Sequence, residues 1–183
     1  SLDGRQVAVL DINDTIGVWD TQSGKQLDTY RIYHSAIPAI ATSPDGRLLI
    51  AGGAEQSLYR WDISSPTAAR LVTRLQGHRQ RVESIAFSRD GVTVASGDQA
   101  GQIRVWNAHT GASRVLGNHA GVIDALAFHP DGRQLASASA DGLVGLWDLQ
   151  NAGPPRLLRG HTNMVKCCDF SPDGRWLASG SMD

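Results

Sequence analysis

The sequence predicts an all-β chain in which a four-stranded antiparallel unit of about 42 residues repeats from end to end. Three observations carry that expectation. Tryptophan recurs at Trp19, Trp61, Trp106 and Trp147, at intervals of 42, 45 and 41 residues, followed by aspartate in three cases and by Asn107 in the other. Histidine recurs at His34, His78, His119 and His161, at intervals of 44, 41 and 42 residues. A turn sequence recurs as Ser43-Pro44-Asp45-Gly46-Arg47, Ser88-Arg89-Asp90-Gly91, His129-Pro130-Asp131-Gly132-Arg133 and Ser171-Pro172-Asp173-Gly174-Arg175, with Ser1-Leu2-Asp3-Gly4-Arg5 beginning the series. Each of the first four such turns stands 18 residues before a tryptophan. Chance does not hold three independent markers in one frame over four periods.

Each strand has a local reason. Val82-Glu83-Ser84-Ile85-Ala86-Phe87 and Gln102-Ile103-Arg104-Val105-Trp106 alternate with period two, as half-buried strands do. Pro-Asp-Gly closes tight turns because Pro fixes φ and Gly accepts φ > 0. No stretch of ten residues shows a 3.6-residue period. The first turn leads into strands near Gln6–Leu10, Thr15–Trp19 and Gln26–Ile32. Three full units follow, running from Ile37–Thr42 to Leu71–Leu75, from Val82–Phe87 to Arg114–Leu116, and from Ile123–Phe128 to Arg156–Leu158. Strands at Val165–Phe170 and Trp176–Ser179 bring the expected number to 17.

Composition removes several classes of function. Seventeen basic and 18 acidic residues leave a net charge of −1, so no field favours a polyanion, and nucleic acid is not expected as a partner. No apolar run approaches the ~18 residues of a membrane span, and no signal-peptide pattern is visible, so a soluble, cytoplasmic protein is expected. The two cysteines, Cys167 and Cys168, are adjacent and point to opposite faces of a strand. They read as one core thiol and one partly exposed thiol, with no disulfide framework.

The His–Trp-Asp units, Ser-Pro-Asp-Gly-Arg turns and the Leu177-Ala178-Ser179-Gly180-Ser181-Met182-Asp183 strand together resemble WD repeats, the unit of WD-type (WD40) β-propellers. The resemblance covers the chain as units at about 1–33, 34–76, 77–117 and 118–159, with an incomplete unit at 160–183. It implies blades whose strands run a to d from the inside outwards. The result is an arc of about 4.3 blades, expected to belong to a seven- or eight-bladed ring. The rest of such a ring, or a second copy, is the expected cover for its open flanks.

The resemblance also assigns the histidines. In WD propellers the loop histidine, a strand serine, the turn aspartate and the strand tryptophan form a hydrogen-bonded chain; the cleanest match is His119, Ser137, Asp141 and Trp147. His34 and Trp61 have Ala51 and Glu55 at the serine and aspartate positions. His78, Ser96 and Trp106 have Ala100 at the aspartate position, and Trp19 has Val9 and Asn13 at the two positions. His161, Ser179 and Asp183 have no tryptophan after them. One complete network is therefore expected. One histidine per blade without a nearby second ligand argues against metal, and no cofactor is expected. Asp11-Ile12-Asn13-Asp14 lacks the glycine and terminal glutamate of a calcium loop. Ser23-Gly24-Lys25 reads as a hairpin turn, and no Gly-x-Ser-x-Gly elbow is present, so an enzyme is not expected.

Function is expected at the rim. The resemblance implies a rigid, non-catalytic scaffold that binds partner proteins or peptides through the d–a and b–c turns. Matched positions one residue into strand a hold Pro38, Glu83, Asp124 and Lys166, and Arg79 and Arg81 follow a loop histidine. Arg79, Arg81, Glu83, Asp124 and Lys166 are the candidate partner-binding residues. The alternative is a sensor or regulatory repeat segment of a larger multidomain signalling protein, such as a signalling ATPase. A ligand-binding or catalytic propeller ranks lower, because the inner strands read as small and apolar apart from Asp169.

Overall fold

A computed structural model describes all residues except 1–3, 12–14, 32–36, 54, 65–69 and 152. Among the described residues there are 17 strands, gathered into successive antiparallel sheets, and no helix. Blade 1 comprises β1 (Gln6–Leu10), β2 (Thr15–Asp20) and β3 (Gln26–Arg31). Blade 2 comprises β4 (Ala39–Thr42), β5 (Leu48–Gly52), β6 (Ser57–Asp62) and β7 (Arg70–Gln76). Blade 3 comprises β8 (Val82–Phe87), β9 (Thr93–Asp98), β10 (Gln102–Asn107) and β11 (Ser113–Asn118). Blade 4 comprises β12 (Ile123–Phe128), β13 (Gln134–Ser139), β14 (Val144–Asp148) and β15 (Arg156–Leu158). A two-stranded half-blade of β16 (Val165–Phe170) and β17 (Leu177–Ser181) completes the described chain.

Each sheet is a meander, so every strand pairs with its sequence neighbour and each blade forms from local contacts. The a–b turn shows how. In blade 3 the Ser88 hydroxyl donates to Asp90 (2.6 Å), the Thr93 N–H donates back to Ser88 Oγ (2.9 Å), and Val92 N–H donates to Asp90 (3.0 Å). Gly91 closes the turn at φ +72°, a left-handed conformation that a Cβ would strain.

The inner strands β4, β8 and β12 stand side by side with β16, and the ring is not closed. The cores lie between blades. Leu58 and Leu75 of blade 2 pack with Val82, Val94 and Trp106 of blade 3. Ile103 and Val105 of blade 3 pack with Ile123, Leu135 and Trp147 of blade 4. Ile16 and Val18 of blade 1 pack with Leu49 and Trp61 of blade 2. The last core joins Ala136 and Val144 of blade 4 to Val165 and Cys168 of the half-blade. Cys168 is buried and Cys167 exposed.

Candidate functional site

Two side-chain systems are built on this frame: a set of buried polar chains inside the blades and a charged row at the start of the inner strands. In blade 4 the Trp147 indole N–H donates to Ser137 Oγ (2.7 Å), which lies 2.8 Å from His119 Nε2. His119 Nδ1 lies 2.8 Å from the Asp141 carboxylate, which also accepts the N–H groups of Ala120 (3.1 Å) and Leu143 (3.0 Å). A carboxylate only accepts, so the ring proton sits on Nδ1, and Nε2 is left to accept from the serine hydroxyl. Burial pushes the Asp141 pKa up. The hydrogen bonds from His119 and the loop amide outweigh it, and the net shift is downwards.

Blade 3 holds a second complete chain, where the sequence had left Ala100 in the aspartate position. The aspartate is Asp98. Trp106 donates to Ser96 (2.7 Å), Ser96 lies 2.6 Å from His78 Nε2, and His78 Nδ1 lies 2.9 Å from Asp98. The reason is strand geometry. Residues two apart share a face, so Asp98 points to the same side of β9 as Ser96. Its other oxygen accepts the N–H groups of Ala100 (3.0 Å) and Gln102 (2.9 Å) and so closes the β9–β10 turn. His78 and Asp98 have side-chain exposures of 0% and 1%. Burial lowers the His78 pKa in spite of its aspartate neighbour, which keeps the ring neutral near pH 7.

In the half-blade His161 lies 2.9 Å from Ser179 Oγ and 3.1 Å from Asp183. Asp183 also accepts the Thr162 N–H at 2.6 Å, which lowers its pKa to about 2. His34 and Asn13 lie outside the described residues. Blade 2 carries another arrangement around Trp61. Tyr59 donates to Glu55 (2.5 Å), Arg74 pairs with Glu55 (2.9 Å) and donates to Ser57 (2.9 Å), and the rings of Tyr30 and Tyr59 lie against the indole. Among the described residues no three His, Cys, Asp or Glu side chains converge into a metal-ligating group.

The charged row depends on an irregularity of register. β8 pairs Val82 with Asp98 and then Ser84 with Gly97, so Glu83 is an extra residue. β12 skips Asp124 in the same way, and β16 skips Lys166. Each is a β-bulge, which bends the strand and re-aims the extra side chain. Lys166 donates to Asp124 of the preceding blade (3.0 Å), and Arg81 pairs with Glu83 (3.4 Å). Arg79 is exposed. β4 shows no such shift, and Pro38 precedes it. Strand alternation alone places these residues near the rim; the bulge is a property of pairing that single-strand patterns do not carry, and the Glu83 and Asp124 side chains it carries are 20% and 21% exposed.

The family model for the WD domain, G-beta repeat (WD40), matches the chain at residues 24–62, 69–107, 112–148 and 153–183. This chain belongs to the WD40 repeat family. The WD40 matches begin in an outer strand or just before one, and the first three end at or beside the tryptophan that fills the core behind it. Among curated proteins, the chain is similar to apoptotic protease-activating factor 1 of Rattus norvegicus, 29% identical over 97 residues, which is 53% of this chain and 8% of that protein. It is also similar to protein ROOT INITIATION DEFECTIVE 3 of Arabidopsis thaliana, 28% identical over 103 residues, 56% of this chain and 22% of that one. B-type cell cycle switch protein ccs52A of Medicago truncatula is 30% identical over 107 residues, 58% of this chain and 22% of that one. The matched stretches therefore span less than a quarter of each relative. No helix among the described residues is long and apolar enough to cross a membrane.

Proposed function

We propose that this WD40 chain is a non-catalytic docking platform, and that partner proteins or peptides bind across the bulged row of Glu83, Asp124 and Lys166 with Arg79 and Arg81 beside it. The observation that supports this most is the repetition of the bulge. Three consecutive inner strands give up a ladder pairing at the same position, each time at a charged residue. A stiff sheet beneath the row keeps those groups in place before a partner arrives, which limits the entropy cost of binding. The ion pairs within the row keep both signs of charge close together, so the matching partner surface carries mixed charge.

The test is capture of partners by the whole chain in cell extract, followed by the doubly reversed variant Glu83→Lys/Asp124→Lys. The expected result is a loss of at least about tenfold in affinity for a captured partner, with the melting temperature held. Undiminished binding by the reversed variant would remove the row from consideration. A second reading, a regulatory repeat segment of a larger cytoplasmic signalling protein, draws support from the likeness to a small part of apoptotic protease-activating factor 1.

A further inference from the structure

At the ends of the inner strands, away from the charged row, the a–b turns are set unevenly. A Cβ on Gly91 of the blade 3 turn would lie 3.4 Å from Pro44 of blade 2, and one on Gly174 of the half-blade turn would strike His129 of blade 4. A Cβ on Gly132 of the blade 4 turn has nothing within 4 Å. The turns of blades 3 and 4 therefore stand apart where the others touch. At that junction Arg89 replaces the proline that meets Gly91, and Ser88 replaces the histidine that meets Gly174. A groove runs through the gap. Its inner end is a 550 Å³ cavity walled by Pro44, Phe87, Phe128, Pro130 and Pro172, and Arg89 is the one charged residue among those described in its lining. Arg89 and Pro130 also line a 220 Å³ cleft between the two turns, and Gly132 connects that cleft to a 490 Å³ cavity beside Trp106, Arg114 and Leu149. The Arg89 side chain is exposed and makes no hydrogen bond or ion pair among the described residues. Asp90 and Asp131 line the middle of the groove but are held by their own turns. Asp90 Oδ1 accepts the Ser88 hydroxyl and the Val92 N–H; Asp131 Oδ1 accepts the Arg133 N–H and pairs with His129. The second oxygen of each has no partner among the described residues.

We infer that this groove is a docking site for an extended peptide segment that carries an apolar side chain beside a carboxylate. The apolar side chain enters the cavity of phenylalanine and proline, an apolar lining with a single orienting charge. The neighbouring carboxylate pairs with Arg89, whose fork of donors has no acid of its own to satisfy. The main chain then passes between the turns of blades 3 and 4, where its N–H groups donate to the second oxygens of Asp90 and Asp131. Those two carboxylates repel further acidic side chains, so the segment carries its acid at the inner end alone. The continuity of the three clefts, from the strand ends out to Leu149, fits an extended chain and not a compact small molecule.

The test uses the whole chain and fluorescein-labelled hexapeptides of glycine and serine in which a phenylalanine stands beside a glutamate, made in every position and both orders. Fluorescence anisotropy should show saturable binding of at least one of them. Replacing its glutamate by glutamine, or its phenylalanine by alanine, should each weaken binding by about tenfold or more. The variant Arg89→Glu should lose that peptide and bind instead the version with lysine in place of glutamate. Arg89→Pro, which installs the turn of the other blades, should hold the melting temperature and lose binding. Glu83→Lys/Asp124→Lys should leave peptide binding unchanged, which separates this groove from the charged row. If the Arg89 variants do not fold, the glutamine and alanine peptides on the unaltered chain decide. Saturation by none of the peptides, equal binding of the glutamine peptide, undiminished binding by folded Arg89→Pro, or equal affinity for the bare phenylalanine–glutamate dipeptide would each overturn the inference.

Discussion

Blades 2 and 3 are neighbours that hold the same element, a buried tryptophan on the third strand, by different chemistry. Blade 3 uses a serine, a histidine and an aspartate in series behind Trp106, with the last two almost entirely out of water. Blade 2 has Ala51 in place of the serine and surrounds Trp61 with two tyrosines. Its polar contacts sit further out, where Glu55 and Arg74 are 36% and 42% exposed. The difference teaches where the energy lies. A buried chain depends on every member, because each lost partner leaves an unsatisfied group out of reach of water. The outer arrangement can exchange a lost partner for solvent, so each member matters less.

That contrast can be tested by substitution. Asp98→Ala should cost the most, about 3 kcal/mol in denaturant unfolding, because it strands His78 and two turn amides at once. Asp141→Ala should cost somewhat less, about 2 kcal/mol, because its side chain is 12% exposed and water recovers part of the loss. Glu55→Ala should cost about 1 kcal/mol or less, and Tyr59→Phe, which keeps the ring against Trp61, less again. Equal losses for Asp98→Ala and Glu55→Ala would break the comparison.

The smallest effect is one of acidity. Burial lowers the His78 pKa below its ordinary 6.5, so in the window beneath that value the unfolded chain binds more protons than the folded one. Stability that is complete above about pH 6.5 is therefore lost as pH falls towards the folded pKa of His78. An NMR titration should place the His78 midpoint below 6.5. Amide protection should fall in β9 before it falls in β6, whose network around Glu55 has no such buried imidazole among the described residues. Simultaneous loss in both strands would show that the two blades do not differ in this respect.

The ladder of strands was open to reading because its causes are local. Val82–Phe87, Ile123–Phe128 and Val165–Phe170 are strands with the bounds that alternation assigns them, and the Asp-Gly turns fix where each pair folds back. The polar chains were legible only where the spacing is regular. Asp98 escaped because it occupies the place that Ser139 holds in blade 4, and only the facing of β9 shows that its carboxylate meets His78. The contacts of Tyr59 and Arg74 with Glu55 involve positions 4 and 19 residues away, chosen by the fold and not by a motif. The bulges at Glu83, Asp124 and Lys166 belong to pairs of strands, so neither strand announces them.

The order in which the cores fill has a consequence for synthesis. A ribosome delivers the blades in chain order, yet the core between two blades is closed by an indole that emerges about forty residues after the earlier blade's core residues. Leu58 and Leu75 wait for Trp106, and Ile103 and Val105 wait for Trp147. Each newly made sheet therefore leaves the exit tunnel with an apolar flank uncovered and is sealed by its successor. A pause in translation within a blade prolongs the exposure of that most recent flank.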